Sequence, residues 1–220
     1  RTIVCGTGWI EGHAVGIVAN QRSIVDKKTG LEAKDRELQI GGVIYSDSAD
    51  KAARFVEICN QKKVPLLFLQ DVTGFMVGSR AERGGIIKDG AKLVNVVANS
   101  VVPKITVFVG NSYGAGNYAM CGKAYGARFL FAWPSAQIAV MGGEQASRTL
   151  LSIQLKNRGD EVSEDEKKAR LADIQKRYAD AMDPRYAAAR LWVDGIIDPR
   201  QTREVVAHAL EACANNPDLP

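Results

Sequence analysis

The sequence predicts an α/β fold in a single domain, on three observations. Near-continuous apolar runs, "VPLLFLQDV" (64–72) and "VPKITVFVG" (102–110), read as strands buried on both faces. Segments with apolar residues at helical spacing follow them, so strand and helix alternate along the chain. No linker, internal repeat or low-complexity stretch divides the 220 residues, a length that can bury one good-sized core.

In chain order, "TIVCGTGWI" and "HAVGIVANQ" alternate with period two about Glu11-Gly12 and read as a β-hairpin. "RSIVDKKTGLEAKDRELQIGG" is polar and broken by glycine, which reads as a surface excursion. Ser46, Asp47 and Ser48 offer helix N-caps to "ADKAARFVEICNQKK", where Ala52, Phe55, Val56 and Cys59 share a face. After the 64–72 strand, the loop "TGFMVGSRAERGG" leads to the helix "IIKDGAKLVNVVANS". After the 102–110 strand, "NSYGAGNYAMCGKAY" (111–125) makes the next helix. "RFLFAW" and "AQIAVM" are strands, and Gly142 and Gly143 open the helix "EQASRTLLSIQLKNR". Residues 163–180 form a charged helix, read as an external arm. Residues 184–192 and 200–213 are closing helices, with "DGIIDP" as a short strand between them.

A hydrophobic fraction of 46%, a charged fraction of 25% and a net charge of +4 describe an ordinary globular protein. Acids and bases are interleaved, so no basic footprint for nucleic acid is present. No apolar run reaches transmembrane length. The four cysteines (Cys5, Cys59, Cys121, Cys213) match neither a zinc nor a CxxC spacing and read as reduced thiols, with Cys59 and Cys121 in apolar surroundings. No metal site is expected.

Three strand-to-helix junctions are rich in glycine: Gly74 to Gly78 with Gly84-Gly85, then Gly114-Ala115-Gly116, then Gly142-Gly143. Each leaves backbone N–H groups at a helix start, where negative charge is held well. Tight packing of helix on strand explains glycine equally well. At the central junction, 114–119 matches the dinucleotide pattern G-x-G-x-x-A, but the acid that should hold the ribose is missing downstream in "RFLFAWPSAQIAV". Residues 110–114 match G-x-S-x-G with Ser112 as nucleophile, but only His208 follows as a base, and turn or capping duty explains Ser112 as well. The third reading is an oxyanion hole of adjacent amides, suited to an enolate. His13 and His208 are the sole histidines and neither neighbours a glycine junction in sequence. Backbone amides are then the stronger catalytic candidates, with the acid–base work left to a cofactor.

"PLLFLQDVTGFMVG", "GGIIKDGAKLV", "VPKITVFVGNSYGAGNYAMCGKAYGARFLFAWPSAQIAVMGGEQA" and "ARLWVDGIIDP" resemble the carboxyltransferase (β) subunit of biotin-dependent acyl-CoA carboxylases, especially 3-methylcrotonyl-CoA carboxylase. The resemblance implies a crotonase-like fold, a spiral of ββα units, with residues 1–220 as the C-terminal of two carboxyltransferase domains. A start without Met fits such a piece. It implies transfer of a carboxyl group from carboxybiotin to an acyl-CoA, with biotin itself as the base. Ala115 and Gly116 would be the catalytic amides facing the biotin oxygen. Gly74, Phe75, Met76, Val77, Gly78 and Gly114 would bind biotin, and Asn117 and Tyr118 the acyl group. Tyr118 stands where propionyl enzymes carry an acid, which suggests a branched or unsaturated acyl group. Lys88 and Lys92 could meet CoA phosphates or simply form a solvated face; Glu144 and Gln145 read as helix-start residues.

No Met-Lys-Met biotinylation site and no ATP loop occurs, so the resemblance implies a biotin carboxylase and a biotin carboxyl carrier as partners. It also implies a homo-oligomer, a hexamer, in bacterial cytoplasm or the mitochondrial matrix. Other readings are a propionyl- or acetyl-CoA carboxylase β subunit, a glutaconyl-CoA decarboxylase subunit, and a non-catalytic assembly subunit.

Overall fold

The computed structural model describes residues 1–28, 36–156 and 163–215. β1 (Ile3–Ile10) and β2 (His13–Asn20) form the expected antiparallel hairpin about Glu11-Gly12, both at positive φ. The polar excursion holds more structure than its composition suggests. β3 (Val25–Lys28) and β4 (Arg36–Gln39) pair antiparallel as a second hairpin, with 29–35 outside the described residues.

The crotonase-like winding follows. β5 (Val43–Ile44) enters α1 (Ser46–Gln61); then come β6 (Leu66–Val72), β7 (Gly74–Phe75), the short α2 (Ser79–Arg83) and α3 (Ile86–Asn99). β8 (Lys104–Tyr113) runs into α4 (Gly114–Ala119) and a 3-10 turn at Lys123–Tyr125. β9 (Phe129–Ala132), β10 (Gln137–Ala139) and α5 (Gly143–Lys156) complete another turn. α6 (Glu164–Met182), α7 (Pro184–Ala188), β11 (Gly195–Ile196) and α8 (Thr202–Ala214) close the chain. Each turn has a main-sheet strand, then a shorter strand, then a helix: β7 pairs with β5, and β10 with the far end of β8. The main sheet runs β1-β2-β6-β8-β9-β11, parallel from β2 onward.

Burial explains the apolar runs. Leu66 and Phe68 join Ala52, Val56, Leu93 and Val97 of α1 and α3 in one core, while Leu67, Ile105 and Val107 meet Val206 and Leu210 of α8 in another. Successive strand residues point to opposite faces, so a sheet covered on both sides needs apolar residues at both parities.

Several boundaries move. The N-cap of the first helix is Tyr45, and Ser46 is already helical. Ser48 supplies the reciprocal contact, its Oγ accepting from the Tyr45 N–H at 2.9 Å. The loop at 73–85 contains β7 and α2. The central helix covers only Gly114–Ala119, because Cys121 turns left-handed at φ 60°. The helix from Pro184 stops at Ala188, followed by Leu191 at φ 57°. The charged helix 163–180 exists as α6, capped by Ser163, but it is anchored: the Tyr178 hydroxyl donates to the Met141 carbonyl at 2.9 Å and Ile174 is buried.

Candidate active site

The carboxyl ends of parallel strands are where open α/β sheets bind ligands. Here β6 and β8 end in β7 and α4, and a cavity of about 670 Å³ opens beside them. Phe75, Met76 and Val77 form one wall, Ile87 and Val94 of α3 another, and Ala115 closes the end. Volume and apolar lining suit a small-molecule pocket. The Phe75 ring lies so close to α3 that a Cβ on Gly90 would come within 2.8 Å of it. The residue identity at Gly90 therefore sets how deeply Phe75 seats.

The central glycines answer two demands. Gly114 has φ +53°, and a Cβ there would sit 2.8 Å from the Val140 carbonyl oxygen. A Cβ on Gly116 would meet Val72 Cγ2 at 2.6 Å. Packing thus requires glycine at both positions. The same packing lays α4 against β6 with its start at the cavity. A helix leaves its first N–H groups without intrahelical acceptors, and the Tyr113 side chain does not cap them. Ala115 is exposed at the cavity and Gly116 is buried behind it.

Ser112 is fully buried. Its hydroxyl donates to Gln70 Oε1 at 2.6 Å and accepts from Asn117 Nδ2 at 2.7 Å. A serine so placed is a structural link, not an exposed nucleophile. Asn117 turns its side-chain amide inward to this link. His208 lines a separate cleft with His13, Glu11 and Glu211, which shares no residue with the Ala115 cavity. Sequence distance hid the meeting of the two histidines.

Gly74 (φ +144°) and Gly78 (φ +104°) bracket Phe75, Met76 and Val77. Tyr118 is 47% exposed and stacks at a tilt on Tyr125, 5.5 Å between centroids, so it is not a core residue. It stands on α4 three residues past Ala115 but does not line the cavity. Lys92 pairs with Asp50 at 3.0 Å and Asp89 at 3.1 Å, and those bonds raise its pKa; Lys88 is exposed. Glu144 pairs with Arg148 at 2.7 Å on the surface of α5. Burial pushes the Cys121 thiol up to about 11, so it is not a reactive thiolate at neutral pH. Among the described residues, no three His, Cys, Asp or Glu groups gather as a metal site, and no helix is long and apolar enough to cross a membrane.

An apolar cavity lies at the strand ends of a crotonase-like spiral, with the start of α4 at its edge. Residues 1–220 match the carboxyl transferase domain family, and the chain belongs to it. It is 49% identical over 99% of its length to the biotin-dependent 3-methylcrotonyl-coenzyme A carboxylase beta1 subunit of Mycobacterium tuberculosis, covering 38% of that protein. Among solved structures, the β subunit of geranyl-CoA carboxylase from P. aeruginosa superposes with a TM-score of 0.80 at 39% identity, over 100% of this chain and 38% of that one. The transcarboxylase 12S subunit, solved as a hexamer with methylmalonyl-coenzyme A bound, gives 0.81 at 38% identity over 97% of this chain and 37% of that one. The chain thus spans a little over a third of the length of these relatives.

Proposed function

We propose that the Ala115 cavity receives the biotin ring of a separate carrier and that this domain transfers its carboxyl group to an acyl-CoA. The observation that carries the reading is the convergence in one cavity of Phe75, Met76, Val77 and Ala115. The residues fit the group: an apolar pocket takes the fused ring, and free amides at its end suit an oxygen that gains negative charge. When bound, carboxybiotin supplies the carboxyl group and the base. The chain's own part is to wall the ring, exclude water and donate hydrogen bonds from the Ala115 and Gly116 amides. Gly74, Gly78 and Gly114 let the backbone make the turns that bring these groups together.

Tyr118, exposed beside the cavity on the same short helix, would meet the acyl group with a surface supplied by another part of the assembly. An apolar, branched and unsaturated acyl group such as 3-methylcrotonyl fits an aromatic at that position. The names of the M. tuberculosis and P. aeruginosa relatives support that class. A biotin carboxylase, a biotin carboxyl carrier and a homo-hexameric assembly complete the reading, in bacterial cytoplasm or a mitochondrial matrix.

The test uses the full-length subunit assembled with its carboxylase and carrier. Labelled bicarbonate should enter 3-methylcrotonyl-CoA or geranyl-CoA in preference to propionyl- and acetyl-CoA. Incorporation into none of the four would sink the reading. Ala115→Pro deletes one N–H in the first helical turn, where proline is tolerated. It should lower transfer by ~10²–10³ with the fold kept, as loss of one oxyanion donor does elsewhere. A folded variant with full activity would remove Ala115 from the catalytic groups.

A further inference from the structure

α4 has six residues, fewer than two turns. A helix that short has no stability of its own, because nucleation is unfavourable and few hydrogen bonds follow. Its place must be imposed from outside. Packing of Gly116 on Val72 fixes how closely it approaches β6. Close packing alone does not set its rotation or its tilt.

Buried polar side chains of the sheet supply what packing does not. Gln70 on β6 is fully buried. Its Nε2 donates to the Met120 carbonyl at 2.7 Å and to the Asn117 carbonyl at 3.4 Å, both at the end of α4. Its Oε1 accepts from the Ser112 hydroxyl at 2.6 Å, just before α4 begins. Asn117 Nδ2 closes the ring by donating to Ser112 Oγ at 2.7 Å. Thr106 on β8, also fully buried, donates to the Cys121 carbonyl at 2.7 Å. The Met120 and Cys121 carbonyls, just past the helix end, are thereby taken up by two strand residues. Gly122 is the counterpart: a Cβ there would collide with the Asn117 side-chain oxygen.

We propose that Gln70, Ser112 and Asn117 are positioning residues for carboxyl transfer: one hydrogen-bond ring, buried at Gln70 and Ser112, that clamps both ends of α4 and so aims the Ala115 and Gly116 amides. The proposal rests on the oxyanion reading given above. Satisfied buried networks rigidify and select one arrangement, while apolar side chains of the same size would let the segment slide. None of the three touches the reacting atoms through its side chain. Their effect on rate runs through the direction of two N–H bonds.

The experiment uses the full-length subunit in its assembled holoenzyme, with Ser112→Ala and, separately, Asn117→Ala. Ser112→Ala removes two bonds of the ring and Asn117→Ala one, while the Gln70 bond to the Met120 carbonyl involves neither side chain. Displacement of a catalytic group by about 1 Å can cost ~10²-fold in rate. The expected result is a fall in kcat of about 10- to 100-fold for labelled-bicarbonate transfer, with the acyl-CoA KM within about twofold of wild type and circular dichroism unchanged. A purely structural role would lower Tm and leave the kcat of the folded fraction alone, which overturns the proposal. Total loss of activity in folded Ser112→Ala with Asn117→Ala unaffected would restore the serine as a nucleophile and also overturn it. If both variants fail to fold, the ring is a folding element and the positioning role falls. A wild-type holoenzyme that carboxylates no acyl-CoA tells against the function itself, a result separate from any behaviour of the variants.

Discussion

A single methyl group measures how tightly α4 is laid down. At Gly116 a Cβ would stand 2.6 Å from Val72 Cγ2 and 3.3 Å from Gly74 Cα. Neither is the end of a flexible chain that could swing aside. Gly116→Ala should therefore cost about 1–3 kcal/mol, the usual price of overfilling a packed site. Urea unfolding measures it, and Val72→Ala in the same chain should recover most of the loss. If Gly116→Ala is neutral, the space beside α4 yields more than its contacts suggest. The glycines were legible in the sequence, but as a choice between packing and ligand. The structure shows why the choice was badly framed. Gly114 and Gly116 are required by packing, and that packing brings Ala115 to the cavity. What the sequence concealed was the polar set. Gln70 and Thr106 sit inside runs read as apolar and Ser112 in the segment read as the next helix, and a buried polar residue in a strand covered on both faces asks for a partner. The partner lies 15 to 50 residues away in Cys121, Met120 and Ser112, which local pattern cannot supply.

At the scale of elements, helix ends were the least legible feature, because they are set by tertiary contacts. Tyr45 caps α1 although three better cap residues follow it, since β5 feeds the chain in at that point. The end of α3 is another case. Lys104, the first residue of β8, is buried and donates to the Val97 carbonyl at 2.9 Å and the Ser100 carbonyl at 3.0 Å. Its ammonium meets the negative end of α3, a favourable placement for a cation. Lys104→Met keeps most of the stem but strips two acceptors of their donor, which should cost about 1–3 kcal/mol. The pH dependence carries a sign. Burial lowers the Lys104 pKa below 10.5 in the folded protein. Between that lowered value and 10.5 the unfolded chain binds more protons, so the contribution of Lys104 to stability rises as pH rises through this interval. The stability gap between wild type and Lys104→Met, measured by urea unfolding, should widen from pH 7 toward pH 10. A gap that narrows would mean that the ammonium charge, not the pair of hydrogen bonds, holds the end of α3.

At the scale of the whole molecule, the alternation of strands and helices and the two-faced sheet followed from hydrophobic pattern, and the winding of the spiral from resemblance. Function needs a surface that pattern alone does not complete. The cavity is open, and its rim carries Val77 at 77% exposure and Ile87 at 73%. Large apolar side chains set together around a cavity mark a surface that something covers. The chain covers a little over a third of its relatives' length, which leaves room for that cover in the remainder of a full subunit or in a neighbouring copy. Ile87→Glu separates the two environments. On the isolated domain the side chain projects into water, and surface substitutions of this kind change stability within about 0.5 kcal/mol. In the assembled holoenzyme the new carboxylate would be trapped against an apolar wall without a partner, a costly burial. Thermal unfolding of the 220-residue domain should then be unaltered, while the assembled enzyme should lose at least about tenfold in carboxyl transfer or dissociate on gel filtration. Full activity and intact assembly would show that Ile87 meets solvent throughout, and the second wall of the site would have to be sought on the Tyr118 side of α4.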